Sequence, residues 1–151
     1  MTVTHSNDSY IQLLKDKNAE SIVLSIRHIF EYLNGVPHTI WFDNDSAIVK
    51  VTNLENGTIS RTISDTFYRF KLHYEFKEVF MNLERGYEKG TVEQAVRFMR
   101  WNLLMPLPQF DDFNEFNKTL LAKSSELLKR EHYILKQPII DLHFEDINEL
   151  N

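Results

Sequence analysis

The chain has 151 residues, of which 42% are hydrophobic and 13% aromatic, with four Gly and four Pro. That length suits one domain of ordinary size, and the apolar content can fill a core, which excludes a disordered or fibrous chain. No Cys occurs, so disulfides, thiolate zinc sites and cysteine nucleophiles are excluded together, and the formal charge of −5 confines any nucleic-acid contact to a local basic patch.

The first residues, Met1 to Asp8, lack the basic start and apolar run of a signal peptide. No stretch approaches the ~18 apolar residues needed to cross a bilayer. The expected location is the cytoplasm. Residues 1–10 alternate loosely and read as a short strand ending at Ser6-Asn7-Asp8-Ser9. From Asn18 to Asn34, Ile22, Ile26, Ile29 and Leu33 recur at helical spacing, and Val23 and Phe30 widen the stripe. Asp16 or Asn18 caps that helix, and Asn34-Gly35 followed by Pro37 stops it.

Thr39 to Phe42 is a short apolar run that ends on Asp43-Asn44-Asp45. Helix, break and buried strand make an α/β unit, in which functional groups gather at strand C-terminal ends. Residues 47–51 and 58–61 flank Asn56-Gly57 as a hairpin. Ser64 to His73 reads as a helix and Phe76 to Met81 as a strand. A polar loop over 82–90 leads to a helix opening at Thr91. Its apolar stripe is Val92, Ala95, Val96, Met99 and Leu103, while Glu93, Arg97 and Arg100 fall at i, i+4 and i+7 on another face. Pro106 and Pro108 end it. A last helix runs from about Asn114 to His132, and the tail from Gln137 to Phe144 shows no clear period.

Two carboxylates stand out by context. Asp43 ends a buried strand, so its side chain emerges at the rim of a sheet; Glu93 lies in a first helical turn after a glycine-bounded loop. Phosphodiester chemistry with two metal ions needs several carboxylates converging on one place, and hard oxygen ligands select Mg2+ or Mn2+. Each residue also has an ordinary reading. Asp-Asn-Asp after a strand is a common turn, and Glu93 suits the helix dipole and pairs with Arg97. The six histidines show no metal-ligand spacing such as HExxH, and His28 reads as structural. Tyr68, Phe70, Tyr74 and Phe76 read as core. Arg85, Lys89, Arg97 and Arg100 surround Glu93 and are the best local basic group for DNA, with solvated helix charge as the other reading.

Four segments occur in order: Gly35-Val36-Pro37, Trp41-Phe42-Asp43-Asn44, His73-Tyr74-Glu75-Phe76 and Glu88-Lys89-Gly90-Thr91-Val92-Glu93. The set resembles the catalytic core of IstA-type transposases, the larger protein of the bacterial insertion-sequence-twenty-one family within the retroviral-integrase (DDE) superfamily. Members carry a "GGVP…DN" segment, a "HYGF"-like segment and a "KGxVE" segment. The likeness continues through Arg100-Trp101-Asn102 to Arg130-Glu131-His132-Tyr133, nearly the whole chain. It implies that Asp43 and Glu93 are the second and third acids of the D, D, E triad, binding Mg2+ or Mn2+, with Lys89 and Gly90 matching the residues before that Glu. The implied fold is α/β and RNase H-like, a mixed sheet with flanking helices. The implied partners are DNA (transposon ends and target), an intact transposase, its ATPase helper and further copies of the chain.

Asn34 stands where the family often has a second Gly before Val-Pro. In the family the first catalytic Asp lies on a strand that precedes two further strands and the first helix. Seventeen residues precede Asn18 here, room for about one strand and its turn. The resemblance therefore implies an N-terminally truncated core over residues 1–110, lacking the first two strands and the first acid, with a helical extension over 111–151. Asp8 and Asp16 are the residues that could replace that acid. The reading that follows is a transposase fragment, inactive alone. The alternative is a non-catalytic DNA- or partner-binding module that interferes with the intact transposase, and a third is a divergent nuclease using Asp8.

Overall fold

The computed structural model describes residues 1–2, 6, 8–54, 57–81, 86–129, 131–132, 135–148 and 150, with only the backbone of 86–89, 91–92 and 147–148. Helix α1 spans Ala19–Leu33. Asn18 caps its start by accepting the Ser21 N–H at 2.8 Å, which satisfies one of the first-turn donors. At its end Asn34 adopts a left-handed φ of 54° and Gly35 N–H returns to the Phe30 carbonyl at 3.1 Å. Asn tolerates that conformation better than most residues, so Asn34 stops the helix as a Gly would.

Strand β1 (Thr39–Phe42) follows, then β2 (Val49–Asn53), β3 (Ile59–Ile63), α2 (Asp65–Tyr74), β4 (Lys77–Phe80), α3 (Gly86–Leu104), α4 (Phe113–Glu126) and α5 (Ile139–Asn148). The strands form two pairs. β1 and β4 run parallel with Thr39 opposite Lys77 and Phe42 opposite Phe80. β2 and β3 are an antiparallel hairpin with Val49 opposite Ile63, and Gly57 takes φ 77° in its connection, a conformation glycine adopts without steric cost. The expected hairpin is thus present, although Asn56 lies outside the described residues. The class is mixed α/β.

α1 is the wall between two cores. One of its faces gives Ile26 and Phe30 to a cluster with Ile40, Ile48, Val49, Phe67, Phe70 and Phe76. Phe30 stacks on Phe70 at 5.9 Å and meets Phe76 edge-on at 6.0 Å, the offset and T-shaped arrangements that aromatic quadrupoles favour. The other face gives Ile29 and Leu33 to a cluster with Tyr10 and Leu121 of α4.

Several elements differ from the sequence reading. Residues 1–2 and 9–10 close a short clasp instead of extending as a strand: Thr2 bridges Ser9, and Met1 and Tyr10 exchange backbone bonds at 2.8 Å. α3 begins at Gly86, with Gly90 inside it. α4 ends at Glu126 and passes into a single 3-10 turn over Leu127–Lys129, short of the expected His132. The tail, read as aperiodic, forms α5. Tyr68 and Val96, both expected in apolar cores, are exposed, and Met99 is the buried anchor of α3.

Glu75 ends α2 in a left-handed conformation, φ 55°, its N–H bonded to the Lys71 carbonyl at 2.9 Å. A Cβ there carries a steric cost that glycine avoids. Glu75→Gly is expected to raise unfolding free energy by about 0.5–1 kcal/mol, measurable as a higher urea midpoint at unchanged slope; a fall would show that the Glu75 side chain stabilises the turn.

Candidate functional site

Parallel β1 and β4 end side by side, and the ladder is extended by the Met81 N–H donating to the Phe42 carbonyl at 2.9 Å. Asp43 is the first residue past this edge, and it is exposed. One of its carboxylate oxygens accepts the Asn44 N–H at 2.8 Å, and its carbonyl accepts the Asp45 N–H at 2.8 Å. Short polar side chains form such turns by bonding their own backbone. Asn44 then donates through Nδ2 to the Met81 carbonyl at 2.7 Å, crossing from β1 to the end of β4.

Arg61 of β3 reaches the same place. Its Nε donates to Asn44 Oδ1 at 2.9 Å and its Nη2 to the Met81 carbonyl at 3.2 Å. Asp45 accepts the Ala47 N–H and pairs with Lys17 at 3.2 Å, tying the segment before α1 to this turn. Lys17 is largely exposed, so that pair contributes at most about 1 kcal/mol. The strand-end turn is thus held from three sides while the Asp43 carboxylate faces outward. From sequence alone Arg61 is legible only as a hairpin residue.

Glu93 stands exposed on α3, a helix that packs against α4. Arg97 and Arg100 are exposed on the same helix, and helical spacing sets them on the Glu93 side. Glu93 and Arg97 do not close the ion pair that their spacing allows. Lys89 is described by its backbone alone, within α3, and Arg85 lies outside the described residues.

Asp8 occupies a different setting. Only 2% exposed, it accepts the Tyr10 hydroxyl and, at 2.7 Å, the Ser9 N–H. Ser9 takes Oδ1, and His143 Nδ1 of α5 lies 3.0 Å from Oδ2, the oxygen that accepts the Tyr10 hydroxyl. Burial pushes the Asp8 carboxyl above the usual aspartate range, against the pull of Tyr10, His143 and Ser9. The same burial, with Asp8 alongside, keeps the Tyr10 hydroxyl protonated. Asp8 is spent on holding the clasp to α5. Asp16 is exposed before α1.

Among the described residues no three His, Asp or Glu side chains come together so as to hold a metal. Since two-metal phosphodiester chemistry needs several converging carboxylates, Asp43 and Glu93 do not by themselves make such a centre. No described helix is long and apolar enough to cross a membrane.

No protein-family model matches the chain. Over 119 residues, 79% of its length, it is 27% identical to the transposase for insertion sequence element IS640 of Shigella sonnei, of which the match covers 36%. It is also 27% identical over 119 residues to the transposase for insertion sequence element IS21 of Pseudomonas aeruginosa, of which the match covers 30%. A stretch of 119 in a chain of 151 includes positions 33–119 wherever it starts, so residues 43, 93, 97 and 100 lie inside the matched region. The chain is therefore similar to insertion-sequence transposases and spans about a third of the length of the two curated relatives it matches.

Proposed function

We propose that the chain is part of the DNA strand-transfer core of an IstA-type transposase, carrying two of the three metal-binding acids, Asp43 and Glu93, and inactive alone. The observation that carries this reading is the likeness to two transposases over a region that includes both acids. The fold supports it in two ways. Asp43 sits at the C-terminal edge of a parallel strand pair, where α/β sheets collect functional groups. Among the described residues that sheet has two strands, whereas parallel sheets are usually wider and covered on both faces. Trp41 of β1 is 53% exposed, an apolar surface that further strands and helices of an RNase H-like sheet would cover.

Among the described residues no three acids or histidines come together, and in this reading the third acid is supplied by another polypeptide segment. The centre would take Mg2+ or Mn2+, because carboxylate oxygens are hard ligands. Transposon ends and target DNA are the substrates this reading assigns, and Lys89, Arg97 and Arg100 the phosphate contacts, with Arg85 by sequence alone. An intact transposase, its ATPase helper and a second copy of the chain are the protein partners.

A second reading, a non-catalytic module that docks on the intact transposase, is favoured by one observation. The net charge of −5 opposes DNA, and Leu72, Leu107 and Phe144 present exposed apolar surface. Incubating the chain with element-end DNA and Mg2+ or Mn2+ is expected to give no strand transfer. Robust activity that Asp43→Asn abolishes would overturn the claim of inactivity. Loss of the intact transposase's activity when the chain is added, with the two co-purifying, would select the second reading.

A further inference from the structure

The outward face of α3 carries Glu93, Gln94, Arg97, Arg100 and Trp101, all exposed. Spacings of three and four residues make Arg97 a neighbour of both Arg100 and Trp101 on the helix surface. Trp101 is 72% exposed, leaving in water most of a side chain that elsewhere buries roughly 200 Å². Among the described side chains none forms a ring contact with the indole, and none pairs or hydrogen-bonds with Arg97 or Arg100. Two guanidinium groups and an indole are thus presented together.

We propose that Trp101 stacks on an unpaired DNA base while Arg97 and Arg100 hold the adjoining phosphates. The proposal rests on the DNA-transposition reading and specifies the form of its substrate: a single-stranded or frayed end, not a closed duplex. Guanidinium matches phosphate bidentately and keeps its charge at any working pH. An indole offers a flat apolar face, and every base has a π-face to meet it, so such a stack is tolerant of sequence. Inside a closed duplex both faces of each base are already covered, and extruding one costs a few kcal/mol. The preference for unpaired DNA follows from that difference. An apolar pocket on a protein could also take the ring. The two cations beside it favour a polyanion instead, and among the described side chains Glu93 is the one carboxylate on this face.

The test is fluorescence anisotropy at low salt with the full chain. The probes are a labelled single strand of roughly 16 nucleotides and a blunt duplex of the same sequence. The wild type is expected to bind the single strand more tightly than the duplex. Trp101→Ala is expected to weaken single-strand binding roughly ten- to a hundredfold, the range one base–aromatic stack supplies, with little effect on the duplex. Trp101→Phe, which keeps a ring, is expected to retain most of the affinity. Arg97→Ala/Arg100→Ala is expected to weaken both probes and flatten the salt dependence by about 0.7 in slope per lost single-strand phosphate contact. All three side chains are exposed, so unchanged thermal melts would show that each variant folds. Single-strand affinity untouched by Trp101→Ala but lost in the double arginine variant would overturn the stack and leave the DNA reading standing. No binding of either probe would overturn both. A changed oligomeric state in Trp101→Ala with unchanged DNA affinity would assign the indole to a protein interface and overturn the stack.

Discussion

Phe67→Ala is expected to lower the unfolding free energy by about 3–5 kcal/mol, the largest effect of any single truncation in the aromatic core. Phe67 is 0% exposed and comes from α2 into the space above the parallel pair. Its ring meets Phe42 of β1 edge-on at 4.9 Å, Phe76 at 6.2 Å and Phe80 of β4 at 6.3 Å. Removing it takes away the transfer energy of the ring and leaves a void that three neighbouring rings cannot collapse into without giving up their own packing contacts. Domains are stable by only about 5–15 kcal/mol, so the loss takes a large share of the total. For a chain of this length it corresponds to a melting temperature lower by roughly 6–20 °C. The effect should also reach the functional edge, because Phe42 and Phe80 are the last residues of β1 and β4 and Asp43 follows directly. Thermal and urea unfolding of Phe67→Ala beside Phe67→Leu check this. Leu keeps most of the volume and is expected to recover more than half of the loss. A cost below about 1 kcal/mol for Ala would mean that the ring does not join helix to sheet.

The elements legible in the sequence were those whose information is local. α1 shows an apolar stripe of Ile22, Ile26, Ile29 and Leu33, an Asn cap and an Asn-Gly stop, and it forms over nearly the span the pattern predicts. β1, the hairpin, α2 and β4 are likewise bounded by turn chemistry that acts over two or three residues. α5 was not legible. Ile139 and Leu142 bury themselves, but the adjacent Ile140 and Phe144 face solvent and blur the stripe. The contact that fixes the helix, His143 to Asp8, joins opposite ends of the chain. The start of α3 was missed because Gly90 reads as a break, although a glycine inside a helix costs only about 1 kcal/mol. For the candidate site, the place of Asp43 could be read from the apolar run before it. Arg61 could not, since its bonds to Asn44 and Met81 exist only once the folded hairpin brings its side chain to the ends of β1 and β4. Asp8 is the sharpest case. Sequence alone allows it as a metal ligand, and only the burial contributed by Tyr10 and α5 shows the carboxylate turned inward.

Asp8→Ala is expected to cost about 2–4 kcal/mol. The carboxylate is the shared acceptor for the Tyr10 hydroxyl and the Ser9 N–H, and His143 Nδ1 lies 3.0 Å from it. Alanine would leave those buried groups without that acceptor and release the clasp from α5. Asn keeps the shape and one acceptor oxygen, so Asp8→Asn is expected to cost less. The two variants also separate packing from charge through pH. Burial raises the Asp8 carboxyl in the folded chain above the ordinary aspartate value of 3.8. Between the unfolded and folded values the native state binds more proton than the unfolded chain. The stabilisation from this group is therefore fully present below about pH 3.8 and is lost as pH rises through the folded value. Asp8→Asn has no such proton, so the wild type should lose stability relative to it on going from acid toward neutral pH. The Met1 ammonium is lowered to about 6 by burial and drawn up by Asp8, so the comparison belongs on the acid side of that value. Urea unfolding of the pair at several pH values measures it. A gap that stays constant with pH would show that Asp8 titrates as an ordinary solvated carboxylate. A gap that moves in the wild type's favour as pH rises would show that Tyr10, Ser9 and His143 together outweigh its burial.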